Sequence, residues 1–393
     1  MRGLSAQSFG AACLWLLIAA ALLFSGCNPS QEHGARERSA EPEQPEVVYA
    51  RKFSLGWQSG YRVVRVASPE HSLEHTYILV PEHRPLPNNS DGATVLRIPL
   101  KSVTCENGFQ VSLLDMLGAF GAIRGVSGKT RIGHEQVHEK IDSGELAVTG
   151  FMRRMNMETL LRLDPDLAFV NVSSVSSDVF EKMRAYGLST GYFCASLEEH
   201  PLGTLEWIKF MGAFFQQDSL AAALFREREK AYLELQQKTR NLDQRPSVIA
   251  GYSRKGAWST MGSSRWFATM LDHAGASYLY EGLGLERGHI LSHEVAMDAG
   301  IRAGYWVNTH FRVRDLDALL GMDRRYGLFT SVRQKTVYNN NHSRFSNGRS
   351  RFWDVGMTEP HVILADLIRI FHPDLLPDHD LVYYHRLLYN DAR

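Results

Sequence analysis

A five-residue segment of the sequence has the residue types and the spacing of a zinc site. His134, Glu135 and His138 stand in the order H-E-x-x-H, which is the pattern of many zinc hydrolases. On one face of a helix the two histidines can bind zinc while the glutamate acts as general base. Glu158 follows downstream and can supply a third zinc ligand. A zinc metallohydrolase is therefore one hypothesis for this chain.

The residues around this motif argue against an enzyme. Gly125, Gly128 and Gly133 precede the motif, and the Asp-Ser-Gly sequence at 142–144 ends it within two turns. A zincin motif needs a substantial buried helix, which these glycines do not favour. The sequence also contains no nucleophile elbow, no P-loop and no G-x-G-x-x-G motif. We therefore expect no catalytic residues, no metal site and no cofactor.

Two glutamates occupy matching places in a unit that occurs twice. Asn156 stands two residues before Glu158, and Ser292 stands two residues before Glu294. In each unit a short helix pattern and then an apolar strand follow. A polar cap with an acidic residue in the first turn is ordinary helix chemistry. The occurrence of the unit once in each half of the chain predicts two related lobes.

The elements that position these residues alternate between strand and helix patterns. Val95–Leu100, Leu167–Val170 and Ser247–Gly251 are apolar runs typical of buried strands. Val111–Ala122 and Val179–Tyr186 have helical periodicity. Such alternation predicts an α/β fold with mainly parallel sheets.

Composition divides the chain into seven segments. A long stretch compatible with helix separates the two α/β halves, and Asp218 or Ser219 is a candidate cap within it. The predicted segments are a signal peptide (1–26), a lipidated Cys27 with a flexible tether (27–50), a strand-rich N-terminal extension (51–95), a first α/β lobe (96–203), a helical connector (204–245), a second α/β lobe (246–376) and a C-terminal tail (377–393).

The N-terminus predicts export and a lipid anchor. The apolar run Phe9–Phe24 contains no charge and suits the central region of a signal peptide. Ser25 and Gly26 before Cys27 resemble the lipobox of bacterial lipoproteins, in which the cysteine thiol carries a diacylglycerol. The polar residues that follow cannot bury enough surface to fold, which predicts the tether. We expect a periplasmic or otherwise extracytoplasmic protein anchored to a membrane by lipid; a plain secretory signal with an incidental cysteine is the alternative.

Charge and cysteine content limit the partners further. Lys and Arg number 43, equal to Asp and Glu at 43, so we expect no basic surface for nucleic acid. Cys105 and Cys194 remain in the folded body and could pair in an oxidising compartment. The sequence leaves that pairing open.

Three segments of the sequence together resemble a known family: residues 156–170, 200–212 and 360–373. They resemble the substrate-binding lipoproteins of ABC importers for iron–siderophore complexes, haem and vitamin B12, and the likeness covers roughly residues 95–376. The resemblance implies a ligand cleft between the two lobes, a permease as partner and no catalysis. In that family a glutamate in each lobe meets arginines of the permease, and Glu158 and Glu294 match those places.

The resemblance also implies where the ligand binds. Ligand groups would come from loops at the carboxyl ends of the strands. Aromatic side chains with arginines suit a flat or macrocyclic ligand that bears carboxylates or phosphate. The predicted cleft residues are Arg153, Trp258, Arg265, Trp266, Asn308, Arg312 and Trp353. The sequence does not distinguish an iron–siderophore complex, haem or cobalamin, and a lipoprotein that captures ligand without a permease is a further alternative.

Overall fold

The computed structural model describes residues 47–174, 177–254, 256–260, 265–281 and 290–390. The predicted signal peptide, Cys27 and most of the predicted tether lie outside the described residues. Within the part of the chain that is described, no helix has both the length and the apolar character needed to cross a membrane.

An N-terminal sheet of four strands precedes the two lobes. Its strands are β1 (Phe53–Gln58), β2 (Tyr61–Ser68), β3 (Leu73–Pro81) and β4 (Thr94–Ile98). The spatial order is β1-β2-β3-β4, antiparallel except for the parallel pair β3–β4. Alternation along β2 and β3 buries one face of this sheet completely through Val64, Val66, Tyr77 and Leu79.

The strand predicted at Val95–Leu100 forms as β4, but in a different sheet from the one expected. It pairs with β3 and completes the N-terminal sheet, whereas the sequence pattern placed it in the first lobe. The first strand of the lobe is β5 (Val103–Cys105), which has three residues, all of them buried. A run so short has no periodicity from which a strand can be predicted.

The first lobe is a parallel sheet with helices between its strands. The strands are β5, β6 (Ile123–Val126), β7 (Ala147–Val148), β8 (Leu167–Asn171) and β9 (Thr190–Phe193), in the order β7-β6-β5-β8-β9. The helices are α1 (Gly108–Met116), α2 (Glu135–Asp142), α3 (Met157–Leu163) and α4 (Ser177–Ala185). The predicted parallel arrangement is confirmed. Helix α1 begins before the predicted Val111 because Asn107 and Gln110 cap it reciprocally.

The connector consists of α5 (Pro201–Phe214) and α6 (Asp218–Thr239). Every residue of α5 is buried, so this helix belongs to the main hydrophobic core. The prediction that Asp218 or Ser219 caps α6 is wrong, because Gln217 occupies the cap position. Asp218 instead pairs with the nearly buried guanidinium of Arg62 at 2.9 Å, which joins the connector to β2.

The second lobe also contains a mainly parallel sheet, in which the pair β16–β17 is antiparallel. Its main sheet contains β10 (Ser247–Ala250), β13 (Ser277–Tyr278), β15 (Tyr305–Val307), β16 (Val337–Asn339) and β17 (His385–Arg386), in the order β13-β10-β15-β16-β17. A small antiparallel sheet contains β11 (Tyr252–Arg254), β12 (Ala257–Ser259) and β14 (Ile290–Ser292). The helices are α7 (Arg265–His273), α8 (His293–Arg302), α9 (Leu316–Met322), α10 (Thr330–Arg333) and α11 (Pro360–Phe371). The chain is therefore an α/β protein with two lobes of mainly parallel sheet.

A buried carboxylate binds the start of the described chain to the connector. Glu206 of α5 is fully buried and accepts the backbone N–H groups of Val48, Tyr49 and Ala50 at 2.8 to 2.9 Å. Lys209 donates to the same carboxylate at 2.7 Å. The last residues of the predicted tether are thus bound to α5.

A second buried carboxylate binds the C-terminal segment in the same way. Asp366 of α11 is fully buried and accepts the backbone N–H groups of Val382, Tyr383 and Tyr384. The ring of His379 also donates through Nε2 to this carboxylate at 2.7 Å. Strand β17, which comes from the predicted tail, follows directly and pairs with β16.

The two cysteines of the body lie in the first lobe. Cys105 ends β5 and Cys194 follows β9; both are buried, and no disulfide joins them. Burial raises the pKa of the Cys105 thiol, so this side chain stays protonated and unreactive at neutral pH.

The half-buried His200 is expected to make the stability of the body depend on pH. Burial, with charge repulsion from His273 and Arg51, lowers the pKa of His200 to about 4, whereas an unfolded histidine has a pKa of about 6.5. The unfolded chain therefore binds more protons between these values, and stability falls as pH falls through that window. We expect urea unfolding midpoints to decrease between pH 6.5 and pH 4, and His200→Asn to reduce that dependence. His83→Gln, at an exposed site, is expected to leave it unchanged.

Candidate ligand cleft and docking surface

Each parallel sheet has a switch point at which the order of its strands reverses. In the first lobe this point lies between β5 and β8, and in the second lobe it lies between β10 and β15. In open α/β sheets, ligands bind beyond the carboxyl ends of the strands at such points. The residues that follow these four strands therefore define the candidate ligand cleft.

Glu106 occupies the switch point of the first lobe. It follows β5, is only 3% exposed, and accepts the backbone N–H of Asn171 at the end of β8 at 2.7 Å. Its other carboxylate oxygen has no hydrogen-bond partner among the described residues. Burial raises the pKa of Glu106, whereas the hydrogen bond from Asn171 and the charge of Arg131 lower it. Glu106 was not among the predicted cleft residues, because nothing in the sequence marks β5 as the central strand.

Asn308, one of the predicted cleft residues, lies at the switch point of the second lobe. It follows β15, is fully buried, and has a left-handed backbone with φ of +52°. Its carbonyl accepts the N–H of Gly251, which follows β10, at 3.1 Å. Its side-chain amide forms no hydrogen bond of ordinary geometry with the described residues, and the Tyr384 hydroxyl lies beside it. Buried polar groups of this kind usually bind water or ligand.

The segment between β16 and α11 crosses from the second lobe to the first. We call residues 340–356 the interlobe strap. The carboxylate of Asp354 in this strap accepts the backbone N–H of Gly133 in the first lobe at 2.8 Å. The side-chain amide of Asn347 donates to the carbonyl of Gly133 at 2.9 Å. Gly133 has no room for a side chain, because a Cβ there would collide with the ring of Phe345. The strap therefore fixes one lobe against the other.

The H-E-x-x-H residues take part in separate contacts. His134 precedes the eight-residue helix α2, and its Nε2 lies 3.5 Å from Asp115. The ring of His138 bonds to the carbonyl of Ile132 at 2.8 Å. Glu135 accepts a backbone N–H of the interlobe strap at 2.8 Å. Among the described residues, no three His, Cys, Asp or Glu side chains come together in a group that could hold a metal ion.

A cavity of about 180 Å³ lies between the strap, the first lobe and the connector. Three polar atoms in its lining have no hydrogen-bond partner among the described residues: Oγ of Ser112, Nδ1 of His134 and Nε of Arg228. The strap contributes Phe345 and Arg351 to the same lining. This cavity is therefore polar and large enough for several waters or a small ligand group.

Two of the predicted aromatic cleft residues meet, and a third does not. Trp266 and Trp353 pack edge to face, with centroids 6.3 Å apart, and Trp353 is 38% exposed. Trp258 is fully buried among Trp306, Tyr326 and other core residues of the second lobe. A side chain without exposed surface cannot contact a ligand in an open cleft, so Trp258 is a core residue. The position of Trp258 in the short strand β12 does not show, from sequence alone, whether its side chain is buried.

Of the three predicted arginines, Arg312 has a side chain that the structure describes. Arg312 is exposed, and its guanidinium lies over the ring of Phe311 at 5.3 Å. The side chains of Arg153 and Arg265 lie outside the described residues, although the backbone of Arg265 begins α7. A cleft role for these three arginines stays a prediction.

Glu158 and Glu294 occupy equivalent places on the two lobes. Each is the second residue of its helix, α3 or α8, and each side chain is exposed. Asn156 caps α3 by accepting the N–H of Thr159 at 3.0 Å, and Ser292 caps α8 in the same way. Hydrogen bonds from its own backbone N–H and from Ser292 lower the pKa of Glu294, so it stays ionised. The predicted cap, helix and strand of each unit are confirmed.

Comparison with known proteins identifies the family. A family model described as periplasmic binding protein matches residues 103–338, which is more than half of the chain. The chain belongs to the periplasmic binding protein family. The N-terminal sheet and the interlobe strap lie outside the matched residues.

Two curated proteins are similar to this chain in sequence. An uncharacterized lipoprotein of Methanocaldococcus jannaschii is 23% identical over 397 residues, covering 95% of this chain and 97% of that protein. A second uncharacterized lipoprotein of the same organism is 21% identical over 295 residues, covering 72% of this chain and 68% of that protein. Because the first of these relatives spans nearly the whole chain, the match includes regions beyond the family model.

Solved structures share the fold. A periplasmic heme binding protein from Pseudomonas aeruginosa is 17% identical with a TM-score of 0.51, covering 70% of this chain and 94% of that chain. A Helicobacter pylori protein with Ni(II) bound is 14% identical with a TM-score of 0.55, covering 75% and 94%. A molybdate-bound periplasmic binding protein of Haemophilus influenzae is 15% identical with a TM-score of 0.55, covering 72% and 89%. At this level of identity the likeness is one of fold.

Proposed function

We propose that this protein is the receptor of an ABC importer that captures an iron chelate, either a siderophore complex or haem, or cobalamin, between its lobes. It delivers the ligand to a permease and carries out no chemistry of its own. The observation that carries the proposal is the paired placement of Glu158 and Glu294, exposed in the first turn of equivalent helices on the two lobes. Two fixed carboxylates on separate lobes suit a broad docking surface that carries arginines.

The ligand part of the proposal rests on the cleft. Both switch points hold buried polar groups with unused hydrogen-bonding capacity, Glu106 in one lobe and Asn308 in the other. The edge-to-face pair of Trp266 and Trp353 offers an aromatic surface, of which Trp353 is the exposed part. We propose that this surface, with Arg312, contacts the ligand, since aromatic faces and guanidinium groups suit a planar chelate.

The anchor completes the proposal. A lipid on Cys27 and a short tether would hold the receptor at the outer side of the membrane that contains its permease. Residues Val48–Ala50 are already bound to the connector helix α5, so the flexible part of the tether would end there. Such an anchor would raise the local concentration of the receptor near the permease and leave both lobes free to contact it.

A thermal-shift panel tests the proposal. The mature body is mixed separately with a ferric siderophore, haemin, cyanocobalamin, nickel, molybdate and zinc. We expect one chelate or tetrapyrrole to raise the unfolding midpoint, since a ligand at 100 times its Kd adds about 2.7 kcal/mol to stability. Trp353→Ala is expected to weaken that binding roughly tenfold. Tyr186→Ala is the matched control. It removes an exposed aromatic side chain that lies in the first lobe, outside the predicted cleft, and is expected to leave ligand binding unchanged.

Two results of this panel would contradict the proposal. A shift with zinc alone that is lost in His138→Ala would favour the zinc hydrolase. If the protein unfolds cooperatively and no chelate or tetrapyrrole raises its unfolding midpoint, the proposed ligand classes are wrong.

A further inference from the structure

The side chain of Asp354 reaches from the interlobe strap into the first lobe. Its carboxylate packs directly on the Cα of Gly108, the first residue of α1, where any Cβ would collide with it. It also accepts the backbone N–H of Gly133 at 2.8 Å. Asp354 is only 6% exposed. We call the position formed by Gly108 and Gly133 the carboxylate seat.

Several positive charges act on the carboxylate seat. Burial raises the pKa of Asp354, whereas the hydrogen bond from Gly133 and the charges of Arg349, His134 and Arg131 lower it. The seat lies at the N-terminus of α1, a nine-residue helix whose dipole favours an anion there. The charges of two arginines and a histidine therefore act on this carboxylate, which lies beside the first residue of α1.

The seat adjoins the cavity of about 180 Å³. Val355, the residue after Asp354, lines this cavity, as does Ser112, which stands one turn beyond Gly108 on α1. Ser112 is 5% exposed, and its Oγ has no hydrogen-bond partner among the described residues. The site thus offers more donors and more room than Asp354 uses.

The carboxylates that line this cavity are engaged elsewhere. Glu135 accepts a backbone N–H of the strap at 2.8 Å, and Glu359 accepts the hydroxyl of Tyr383. Asp115 faces His134 at 3.5 Å. None of these three acids contacts Gly133, so Asp354 is the carboxylate that fills the seat.

We propose that the carboxylate seat is an anion subsite of the ligand cleft, that Asp354 is its internal occupant, and that the ligand presents a carboxylate or phosphate group that replaces Asp354. The ligand half of this inference rests on the proposed receptor function. The exchange is non-covalent: the incoming anion takes the N–H of Gly133 and the α1 N-terminus, and the strap carries Asp354 away. Release of the strap then uncouples the two lobes at this contact.

Because Asp354 already occupies the seat, a ligand must bind tightly enough to displace it. A side chain of the same folded chain competes for the seat at an effective concentration of roughly millimolar or above. A small free anion therefore binds poorly to the native protein. A ligand with further contacts in the cleft, such as the Arg351 and Arg228 side chains in the cavity lining, can displace Asp354. The strap thereby selects larger anionic ligands over simple salts.

Chemical rescue tests the seat directly. Asp354→Ala removes the occupant and is expected to lower the unfolding midpoint of the full mature chain. Acetate is then expected to restore at least half of that loss, relative to chloride at equal ionic strength, because it fills the seat. The wild-type protein is expected to respond to acetate and chloride alike.

A second buried carboxylate provides the control. Asp366→Ala leaves three backbone N–H groups and the ring of His379 without their acceptor, whereas Asp354→Ala leaves one backbone N–H. Equal rescue of Asp366→Ala by acetate would overturn the proposal, since it would show that any such cavity accepts the anion. Absence of rescue in Asp354→Ala would overturn it as well.

A milder variant covers the case in which Asp354→Ala does not fold. Asp354→Asn keeps the size of the side chain and removes its charge. Inorganic phosphate, measured by titration calorimetry, is expected to bind this variant at least about tenfold more tightly than the wild-type protein. Equal affinity for the two proteins would overturn the proposal. Because neither test involves transport or a cognate ligand, failure here is distinguishable from failure of the receptor function.

Discussion

Replacing Glu158 and Glu294 together with alanine is expected to reduce ligand uptake by the importer about a hundredfold while ligand binding stays unchanged. Each glutamate is exposed in the first turn of its helix, so its removal leaves the fold intact. A carboxylate that meets an arginine makes paired, charge-assisted hydrogen bonds across the docking surface, and losing one pair costs roughly tenfold in affinity. The measurement is uptake of the identified ligand into vesicles that contain the permease, beside the Kd of the isolated receptor.

The controls for this prediction are acidic residues on nearby helices. Asp298 on α8 is exposed and pairs with Arg302 on the same helix, and Glu181 on α4 is also exposed. The variant with both of these replaced by alanine has the same change of net charge and is expected to support normal uptake. Full uptake by the Glu158 and Glu294 double variant would show that the docking assignment is wrong. The receptor would then be a scavenging lipoprotein or would use another surface.

Glu206→Ala is expected to destabilise the body by about 3–5 kcal/mol, the cost of breaking a buried charged pair by removing one partner. Glu206 is fully buried and holds Lys209 together with the backbone of Val48, Tyr49 and Ala50. After the substitution these backbone donors lose their acceptor inside the protein, which adds to the cost. Denaturant unfolding of the purified mature chain measures the change.

Glu227→Ala is the matched control for this substitution. Glu227 lies on the other connector helix, α6, and is 75% exposed. Its replacement is expected to change the free energy of unfolding by less than about 0.5 kcal/mol. If both substitutions change the free energy of unfolding by the same small amount, Glu206 does not hold residues Val48–Ala50 in place. Loss of the first residues by limited proteolysis in Glu206→Ala, but not in Glu227→Ala, would agree with its role as the attachment point.

Local sequence patterns were sufficient to place Glu158 and Glu294 on their helices. Asn156 and Ser292 are cap residues, and the glutamate two places later necessarily lies in the first turn of the helix that follows. The short strands that follow each helix are apolar on both faces, as parallel strands between helices must be. Position on the helix surface follows from these local rules, so Glu158 and Glu294 could be placed from the sequence.

The cleft could be predicted only in outline, because its residues depend on contacts far apart in the chain. Trp258 and Trp353 are equally aromatic in sequence, yet one is fully buried and the other is 38% exposed. Glu106 becomes a candidate only once the order of strands makes β5 the neighbour of β8. The bond between Gly133 and Asp354 joins residues 221 positions apart, which no local pattern reveals. Pairing of β4 with β3, rather than with the lobe, is decided by the same kind of long-range contact.

The measurement that most directly tests a ligand site between the lobes is hydrogen exchange with and without the identified ligand. Binding in the cleft is expected to slow exchange in segments of both lobes together, around Glu106 and Asn171 in the first lobe and around Asn308 in the second. A separate cavity of about 400 Å³ beside Tyr61 and Leu86 in the N-terminal sheet serves as the internal comparison. Protection of both lobe segments with no change in that sheet is the predicted result. Protection confined to the N-terminal sheet, or to one lobe, would contradict the account.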